Sequence, residues 1–208
     1  MGQTGSGKST ITHLLMRFYE PKSGTIQINE QNIHDLKQES FLKHVGVVPQ
    51  DITLFNDTLL NNLTYGNPSV SNAELNEVIK LVLLDSLIDS LPEGLATIVG
   101  ERGLSLSTGE KQKVGIARVL LKHPSFYIFD EATSSLDVHT EKKIMRNIKN
   151  KIQNATVLVI AHRLSTVRYA DEILVFDKGE ILESGTHSYL LRQKGRYAQL
   201  WATQVAAA

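Results

Sequence analysis

The sequence predicts an α/β fold in which a mostly parallel sheet is flanked by helices and interrupted by an all-helical subdomain. A glycine-rich segment at residues 2–10 leads directly into a helical pattern. Short apolar runs at residues 45–49, 126–130 and 156–161 are typical of buried strands and have polar residues at their ends. Between the first two runs, residues 57 to about 91 show helical periodicity and few strand-forming residues.

The composition excludes several classes of function. The 208 residues carry 22 Lys plus Arg and 22 Asp plus Glu, so no overall basic field attracts nucleic acid. The chain has no cysteine, which excludes disulfides and thiolate zinc sites and suits a reducing compartment. No apolar run approaches the ~20 residues of a membrane span, and no signal-peptide pattern opens the chain. We therefore expect the chain itself to be soluble, with any membrane connection made through a partner or another part of the same protein.

Residues 2–10, GQTGSGKST, match the phosphate-binding loop pattern G-x-x-x-x-G-K-[ST]. Glycines permit the left-handed φ angles and the close backbone approach that a nest of N–H groups requires. Lys8 would supply a cation to the β- and γ-phosphates, and the Ser9 hydroxyl is placed to bind Mg²⁺. The alternative is an ordinary glycine-rich turn before a helix. The predicted ATP-binding residues are Gly2, Thr4, Gly5, Ser6, Gly7, Lys8, Ser9 and Thr10.

The helix after this loop is predicted from Ser9 to about Phe18, with its positive end toward the anion. Alternating residues at 25–29 predict a half-exposed strand, and residues 40–44 a helical turn. Gln50 directly follows the strand at 45–49, and open α/β sheets place ligand-contacting groups at such strand ends. The alternative for Gln50 is a polar loop residue without a role.

Two helix starts are predicted from capping patterns. Ser71 and Glu74 have capping-box spacing before a helix that runs to about Leu83, within a stretch that suggests a mobile subdomain or a plain structural excursion. Ser107 and Glu110 stand at the N-cap and N3 positions of a helix that runs to Leu121. The N–H groups of this second start form either an anion-binding helix terminus or an ordinary cap.

The strand at 126–130 ends in acidic residues. Asp130 is suited to hold Mg²⁺ through its water shell, and Glu131 to polarise an attacking water, although an acidic helix cap is the alternative. The strand at 156–161 is followed by His162, again at a carboxyl end. The remaining chain predicts a hairpin at 171–184 that turns at Lys178-Gly179, then two helices at about 187–193 and 196–203.

In this order the segments resemble the motifs of the nucleotide-binding domain of ABC (ATP-binding cassette) transporters, from residue 2 to about residue 203. The matching segments are the Walker A loop at 2–10, the Q-loop at Gln50, the signature at 106–110, Walker B at 126–130 with Glu131, the D-loop at 134–137 and the switch His162. The resemblance implies a RecA-like P-loop NTPase with a core at residues 1–56 and 125–208 and a helical subdomain at about 57–124. It also implies that the strands before the loop, an adenine-stacking aromatic residue and a membrane domain lie outside this chain.

The resemblance further implies that two such domains pair head to tail, with each ATP between one Walker A loop and the partner's signature. The implied partners are a second nucleotide-binding domain, as a homodimer, and a transmembrane domain, with no nucleic acid. The domain would then be membrane-associated through that transmembrane domain and face the cytosol or the mitochondrial matrix. The implied site residues are Glu131, His162 and Gln50 for catalysis, Ser9, Gln50 and Asp130 for Mg²⁺, Ser107, Thr108, Gly109 and Glu110 in the signature, and Ser135 and Asp137 in the D-loop.

Two features narrow the resemblance. Residues 99–103, VGERG, are similar to the segment that exporters use to contact their membrane domain, and residues 49–58 and 109–112 are similar to mitochondrial Atm-type and heavy-metal-tolerance half-transporters. Thr108 departs from the glycine that the family has in its signature.

The alternatives to an exporter ATPase are a soluble ABC ATPase acting on DNA or ribosomes and a non-hydrolysing regulator.

Overall fold

The structure, a computed structural model, describes residues 1–2, 5–161 and 163–206. By its internal contacts the chain forms two compact units, the first made of Met1–Leu42 and Val159–Ala208 and the second of Lys43–Leu158. The finer division with a helical subdomain at residues 57–124 stays a prediction. Among the described residues, no helix combines the length and the apolar composition that a membrane crossing needs.

Helices and strands alternate along the described chain, as the sequence predicts. In chain order the elements are α1 (Lys8–Leu15), β1 (Gln27–Ile28), β2 (Gln31–Asn32), α2 (Gln38–Lys43), β3 (Val45–Val48), β4 (Asp57–Thr58), α3 (Leu59–Thr64), α4 (Asn72–Leu81), α5 (Asp85–Ser90), β5 (Ile98–Val99), α6 (Thr108–Lys122), β6 (Phe126–Asp130), α7 (Val138–Lys151), β7 (Thr156–Ile160), α8 (Leu164–Val167), β8 (Ile173–Asp177), β9 (Glu180–Gly185), α9 (His187–Gln193) and α10 (Arg196–Ala206).

In the second unit, β3 and β6 pair in parallel, with Val45 opposite Phe126 and Val48 opposite Phe129. β7 lies on the other side of β6. The predicted parallel sheet is therefore confirmed. Gly46 is required in β3 because a Cβ there would lie 2.5 Å from Val119 of α6. This close approach seats α6 directly against the sheet.

The helices of the second unit are tied together by side chains. Ser71 caps α4 by accepting a hydrogen bond from the Glu74 N–H at 3.2 Å, as predicted. The Glu74 carboxylate contacts His123, which ends α6 in a left-handed conformation. Lys151, at the end of α7, pairs with Glu77 at 2.8 Å. α4 is thus linked to the carboxyl ends of both α6 and α7.

In the first unit, the core is formed around the hairpin of β8 and β9, which lie antiparallel. Its buried side chains include Val167, Ile173, Val175, Leu190 and Tyr197, and Met1 packs against them. The predicted turn at Lys178-Gly179 is confirmed, since both residues have left-handed φ angles, 48° and 85°. The first residue of the chain therefore shares a core with side chains from residues 159–201.

Three sequence expectations were inaccurate in detail. The first helix ends at Leu15 rather than near Phe18, because Arg17 turns left-handed at φ 59° and donates to the Leu36 carbonyl at 2.8 Å. The strand predicted at 25–29 is reduced to β1, which forms a hairpin with β2. The stretch 57–91 is helical except for β4, which pairs with β5. Strands of two residues carry too short an alternation to be recognised from sequence.

Candidate functional site

The phosphate-loop residues of the first unit have the backbone that the motif requires. Gly5 and Gly7 are left-handed, with φ angles of 81° and 99°. Gly7 is the N-cap of α1 and offers no side-chain cap, so the first N–H groups of α1 are not satisfied by a capping side chain. Ser9 and Thr10 are exposed in the first turn of α1, whereas the predicted Thr4 lies outside the described residues.

Lys8 is only 6% exposed although it carries a charge. Its ammonium group crosses the loop and donates to the Gly2 carbonyl at 2.9 Å and to the Ser6 Oγ at 3.5 Å. Burying a cation is costly unless its donors are paired, and the Gly2 carbonyl and the Ser6 hydroxyl oxygen are two of the partners of this ammonium group. Lys8 therefore places a positive charge among the described residues of the loop.

Residues near the end of the chain hold this loop in place. The Met1 N–H group donates to the Leu174 carbonyl and the Phe176 N–H to the Met1 carbonyl, both at 2.5 Å. The Gly179 N–H donates to the Ser6 carbonyl at 3.0 Å. The sequence predicts Gly179 only as part of the hairpin turn, because its contact with the loop spans most of the chain and no local pattern encodes that contact.

In the second unit, the predicted strand-end residues share one edge of the sheet. Asp130 ends β6, and the parallel register of β3 and β6 brings Gln50 to the same edge as Glu131. Glu131 has a left-handed φ of 50°, which is uncommon for a residue with a Cβ. His162, predicted at the next strand end, lies outside the described residues.

The predicted start of the signature helix is confirmed as a capping box. The Ser107 hydroxyl accepts from the Glu110 N–H at 3.3 Å, and the Glu110 carboxylate accepts from the Ser107 N–H at 2.7 Å. Thr108, the first residue of α6, is exposed. Gly109 lies against the D-loop, since a Cβ there would be 3.2 Å from the Ser135 carbonyl oxygen.

The D-loop residues connect the strand end to α7. Asp137 is the N-cap of α7, and its carboxylate accepts from the N–H groups of His139 and Thr140, each at 3.0 Å. The hydrogen bonds with Thr140 and His139 hold the pKa of the Asp137 carboxyl below its usual value. Ser135 donates its N–H to the side chain of Gln112 at 3.0 Å. Gln112 is a buried residue of α6 that sequence analysis did not identify.

The described residues contain no group of three or more His, Asp or Glu that could hold a metal ion by themselves. The predicted Mg²⁺ residues instead supply separate oxygen donors: a hydroxyl from Ser9, a carboxylate from Asp130 and an amide oxygen from Gln50. Mg²⁺ prefers oxygen ligands and is commonly held by one or two carboxylates together with substrate phosphates. By chemical type, each of these donors is one that suits Mg²⁺.

The sequence profile of the ABC transporter family matches residues 1–134. This is more than half of the 208 residues. The chain belongs to the ABC transporter family. The matched residues include the predicted phosphate loop, signature and Walker B strand.

Curated relatives agree with this assignment. The chain is 52% identical to "Iron-sulfur clusters transporter ABCB7, mitochondrial" of Homo sapiens over 205 residues, covering 98% of the chain and 27% of the relative. It is 48% identical to "ABC transporter ATM1" of Toxoplasma gondii, covering 98% of the chain and 18% of the relative. It is also 48% identical to "Heavy metal tolerance factor 1" of Caenorhabditis elegans, covering 99% of the chain and 26% of the relative. The predicted resemblance to Atm-type and heavy-metal-tolerance transporters is confirmed.

A solved structure supports the fold. "Structure of a bacterial Atm1-family ABC exporter with ATP bound" matches with a TM-score of 0.92 and 48% identity, covering 98% of this chain and 36% of that one. The predicted P-loop α/β fold is thereby confirmed. The chain spans 36% of that exporter and between 18% and 27% of the curated relatives above.

Proposed function

We propose that this domain binds ATP together with Mg²⁺, hydrolyses it to ADP and phosphate, and thereby powers an exporter. The observation that carries the proposal is the buried Lys8 ammonium within the left-handed glycine loop that opens α1. Such a loop suits a polyphosphate, because it offers many N–H donors, a helix N-terminus and a cation at close range. Exporter relatives match nearly the whole chain with about half of the residues identical, and this similarity supports the same reaction.

In the proposed ground state, the N–H groups of the loop bind the phosphate oxygens, and Lys8 contacts the β- and γ-phosphates. Ser9, Gln50 and Asp130 would hold Mg²⁺, which neutralises part of the charge on the phosphates when it is bound. Because these contacts are made to the phosphates, the described residues account for affinity toward the triphosphate rather than toward the base.

In the proposed reaction, water attacks the γ-phosphorus in line with the bond to the leaving ADP oxygen. A new water O–P bond forms as the bond to the bridging oxygen breaks, and the proton of the water passes to the Glu131 carboxylate or to the released phosphate. Gln50 and His162 are proposed to orient the water and the γ-phosphate. The position of Glu131 at a strand end beside Gln50 supports its role as the polarising group.

We further propose that two copies of the domain pair head to tail and that each completes the other's site. The capped start of α6 supports this, because Ser107 and Glu110 fix a helix N-terminus whose first residue, Thr108, is exposed. A phosphate at this terminus would meet free N–H groups and the positive end of the helix dipole. A transmembrane domain, as in the exporter relatives, would couple the pair to transport and hold it at the membrane, facing the cytosol or the mitochondrial matrix.

The proposal is tested by ATP binding and phosphate release with the parent chain, Lys8→Ala and Glu131→Gln. Lys8→Ala should weaken nucleotide binding and abolish turnover, because the only cation of the loop is lost. Glu131→Gln should bind ATP like the parent and lose most turnover, because an amide accepts no proton. It should also shift toward a dimer on a sizing column when ATP is present.

Unimpaired turnover in Glu131→Gln would refute the catalytic role of Glu131, and parent-like binding and turnover in Lys8→Ala would refute the phosphate-loop assignment. If the chain alone shows no turnover, the same variants are made in a chimera in which it replaces the matching segment of the bacterial Atm1-family exporter. The 48% identity over 98% of the chain makes this exchange practicable. A chimera that transports nothing and releases no phosphate would refute the proposed function.

A further inference from the structure

Gln112 is a buried amide in a helix whose other buried positions are mainly apolar. It lies in the second turn of α6 and is only 1% exposed, whereas the flanking Lys111 and Lys113 are partly exposed. A buried amide destabilises a protein unless its donors and acceptor are paired. The partners of Gln112 therefore indicate why an amide is present.

All four partners of Gln112 lie on loops of the candidate site. Its Oε1 accepts from the Ser135 N–H at 3.0 Å, and its Nε2 donates to the Ser134 Oγ at 3.1 Å. The same Nε2 lies 3.5 Å from the carbonyl oxygens of Gln50 and Glu131. The short bonds thus go to the D-loop, and the longer ones to the residues predicted to handle the attacking water.

The D-loop packs on the face of α6 that carries Gln112. Gly109 lies three residues before Gln112, so the two residues share a helix face. A Cβ on Gly109 would be 3.2 Å from the Ser135 carbonyl oxygen and 3.4 Å from Leu136. Gly109 lets the D-loop approach α6, and Gln112 fixes it there by hydrogen bonds.

The turn that carries Glu131 also depends on this contact. Glu131 has a left-handed φ of 50°, a conformation that persists for such a residue only where its surroundings hold it. Its carbonyl accepts from the Ser134 N–H at 3.0 Å in addition to the Gln112 amide. Gln112 therefore touches both ends of the turn from Glu131 to Ser135.

We propose that Gln112 is a positioning residue for ATP hydrolysis. Its amide fixes the turn at residues 131–135 against the first turns of α6 and so sets the direction of the Glu131 carboxylate. Gln112 acts on the attacking water through Glu131, whose turn it holds, and not by a contact of its own. In the proposed dimer, the signature at the start of α6 contacts the phosphates of the ATP that is bound to the partner. Because the Gln112 amide links α6 to the turn at residues 131–135, binding of those phosphates would affect the position of Glu131. This inference rests on the proposed function.

The test compares the steady-state ATPase kinetics of the parent with Gln112→Met and Ser134→Ala. Methionine has nearly the volume of glutamine and lacks the amide, so Gln112→Met removes the hydrogen bonds while filling the space. Misplacing a catalytic group should lower kcat by about tenfold to a hundredfold. The KM for ATP should change by less than about twofold, because ATP contacts are retained. Ser134→Ala removes the hydrogen bond from the Gln112 amide to the Ser134 Oγ and should lower kcat in the same direction by less.

The matched control is Asn147→Leu. Asn147 is an amide on α7 that donates to the Leu81 carbonyl at 2.8 Å, within the same unit. Its loss should lower the melting temperature as the Gln112 variant does, while kcat stays within about twofold of the parent. A second control places Gln112→Met in the Glu131→Gln background. If Gln112 acts through Glu131, the double variant should be scarcely slower than Glu131→Gln alone.

Several results would overturn the inference. The first is a kcat equal to that of the parent in both Gln112→Met and Ser134→Ala. The second is an equal loss of kcat in Asn147→Leu when that variant is destabilised to the same extent. The third is a double variant whose kcat loss is the product of the losses in the two single variants. Gln112→Met failing to fold leaves Ser134→Ala to decide the question. A parent that hydrolyses no ATP in the chain or the chimera refutes the proposed function and this inference with it, whereas a parent that turns over with unaffected variants refutes the inference alone.

Discussion

Arg118 donates two hydrogen bonds to Asn62, one from Nε to the carbonyl oxygen at 2.6 Å and one from Nη2 to the side-chain Oδ1 at 2.5 Å. Asn62 is fully buried, and its own amide donates to the carbonyls of Phe55 and Thr58. Arg118 also donates to the Thr53 carbonyl at 2.8 Å. The Arg118 guanidinium of α6 therefore holds the segment after Gln50 in place by hydrogen bonds.

Arg118→Met should lower the free energy of unfolding by about 2–3 kcal/mol, because the charged hydrogen bonds to Asn62 and to the Thr53 carbonyl are lost. Urea denaturation followed by circular dichroism measures the change. Arg168→Met is the control, because Arg168 is exposed and its guanidinium stacks on Tyr169, 4.6 Å from the ring centre. The control should change stability by less than about 0.5 kcal/mol. Equal losses in the two variants would contradict the prediction.

Gly179→Ala should weaken ATP binding through the backbone. Gly179 has a φ of 85°, and a Cβ there would meet nothing within 4 Å, so the substitution acts by conformation alone. A left-handed alanine costs roughly 1–2 kcal/mol, and relief of that strain would pull the Gly179 N–H from the Ser6 carbonyl. Calorimetric titration with Mg-ATP should show an affinity loss of up to about tenfold.

Gly179→Asn separates strain from crowding, because asparagine adopts the left-handed region more readily than alanine. Its ATP affinity should lie between those of the parent and Gly179→Ala. An asparagine variant as weak as the alanine variant would show that the loss has another origin.

Thr108→Gly should raise the ATPase rate of the paired domains. Thr108 is exposed at the first position of α6, and its β-branched side chain would crowd a phosphate that approaches the helix start. Thr108→Ser, which keeps the hydroxyl and removes the branch, should raise the rate as well, whereas Thr108→Val should not. A clear fall in rate for Thr108→Gly with a normal rate for Thr108→Ser would show that the hydroxyl contributes a contact instead.

The stability of the first unit should fall on acidification through His187. Burial, with a smaller effect of the nearby Arg168, holds the pKa of His187 below its ordinary 6.5, and its Nδ1 shares a 2.7 Å hydrogen bond with the Tyr197 hydroxyl. His187 in the unfolded chain therefore binds a proton more readily than in the folded chain. Its contribution to the free energy of unfolding is complete above pH 6.5 and declines as the pH falls from 6.5 through the lowered pKa of the folded state. Urea midpoints between about pH 5 and pH 8 should show this decline in the parent and a weaker one in His187→Phe. Identical slopes in the two proteins would exclude His187 as the cause.

Sequence analysis performed best where the chemistry is local. The glycine loop before α1, the capping box of Ser107 and Glu110, and the hairpin turn at Lys178-Gly179 were all predicted, because each is encoded by neighbouring residues. The register of β3 and β6 needed the structure, but the placement of Gln50 and Glu131 at one edge followed from the rule for parallel strands.

Contacts between distant segments were not predictable in the same way. Gln112 stands in a polar stretch between two lysines, so its pattern is typical of a helix surface, and only the folding of the D-loop over α6 buries it. Asn62 is buried for the same kind of reason, since Arg118, 56 residues later, satisfies it. A polar residue whose partners lie far along the chain shows no periodicity that separates it from a solvated one.

The bonds from Met1 to β8 and from Ser6 to Gly179 have a consequence for biosynthesis. The second of them joins residues that are separated by almost the whole chain, so a ribosome must release the β8–β9 turn before the loop can dock on it. Until then the nascent chain carries the loop sequence without its support. Domains are completed in the order in which their segments emerge, and here the loop is translated well before the turn that fixes it. A nascent chain arrested before Gly179 leaves the tunnel should therefore fail to retain nucleotide, even though every residue of the phosphate loop has already been made.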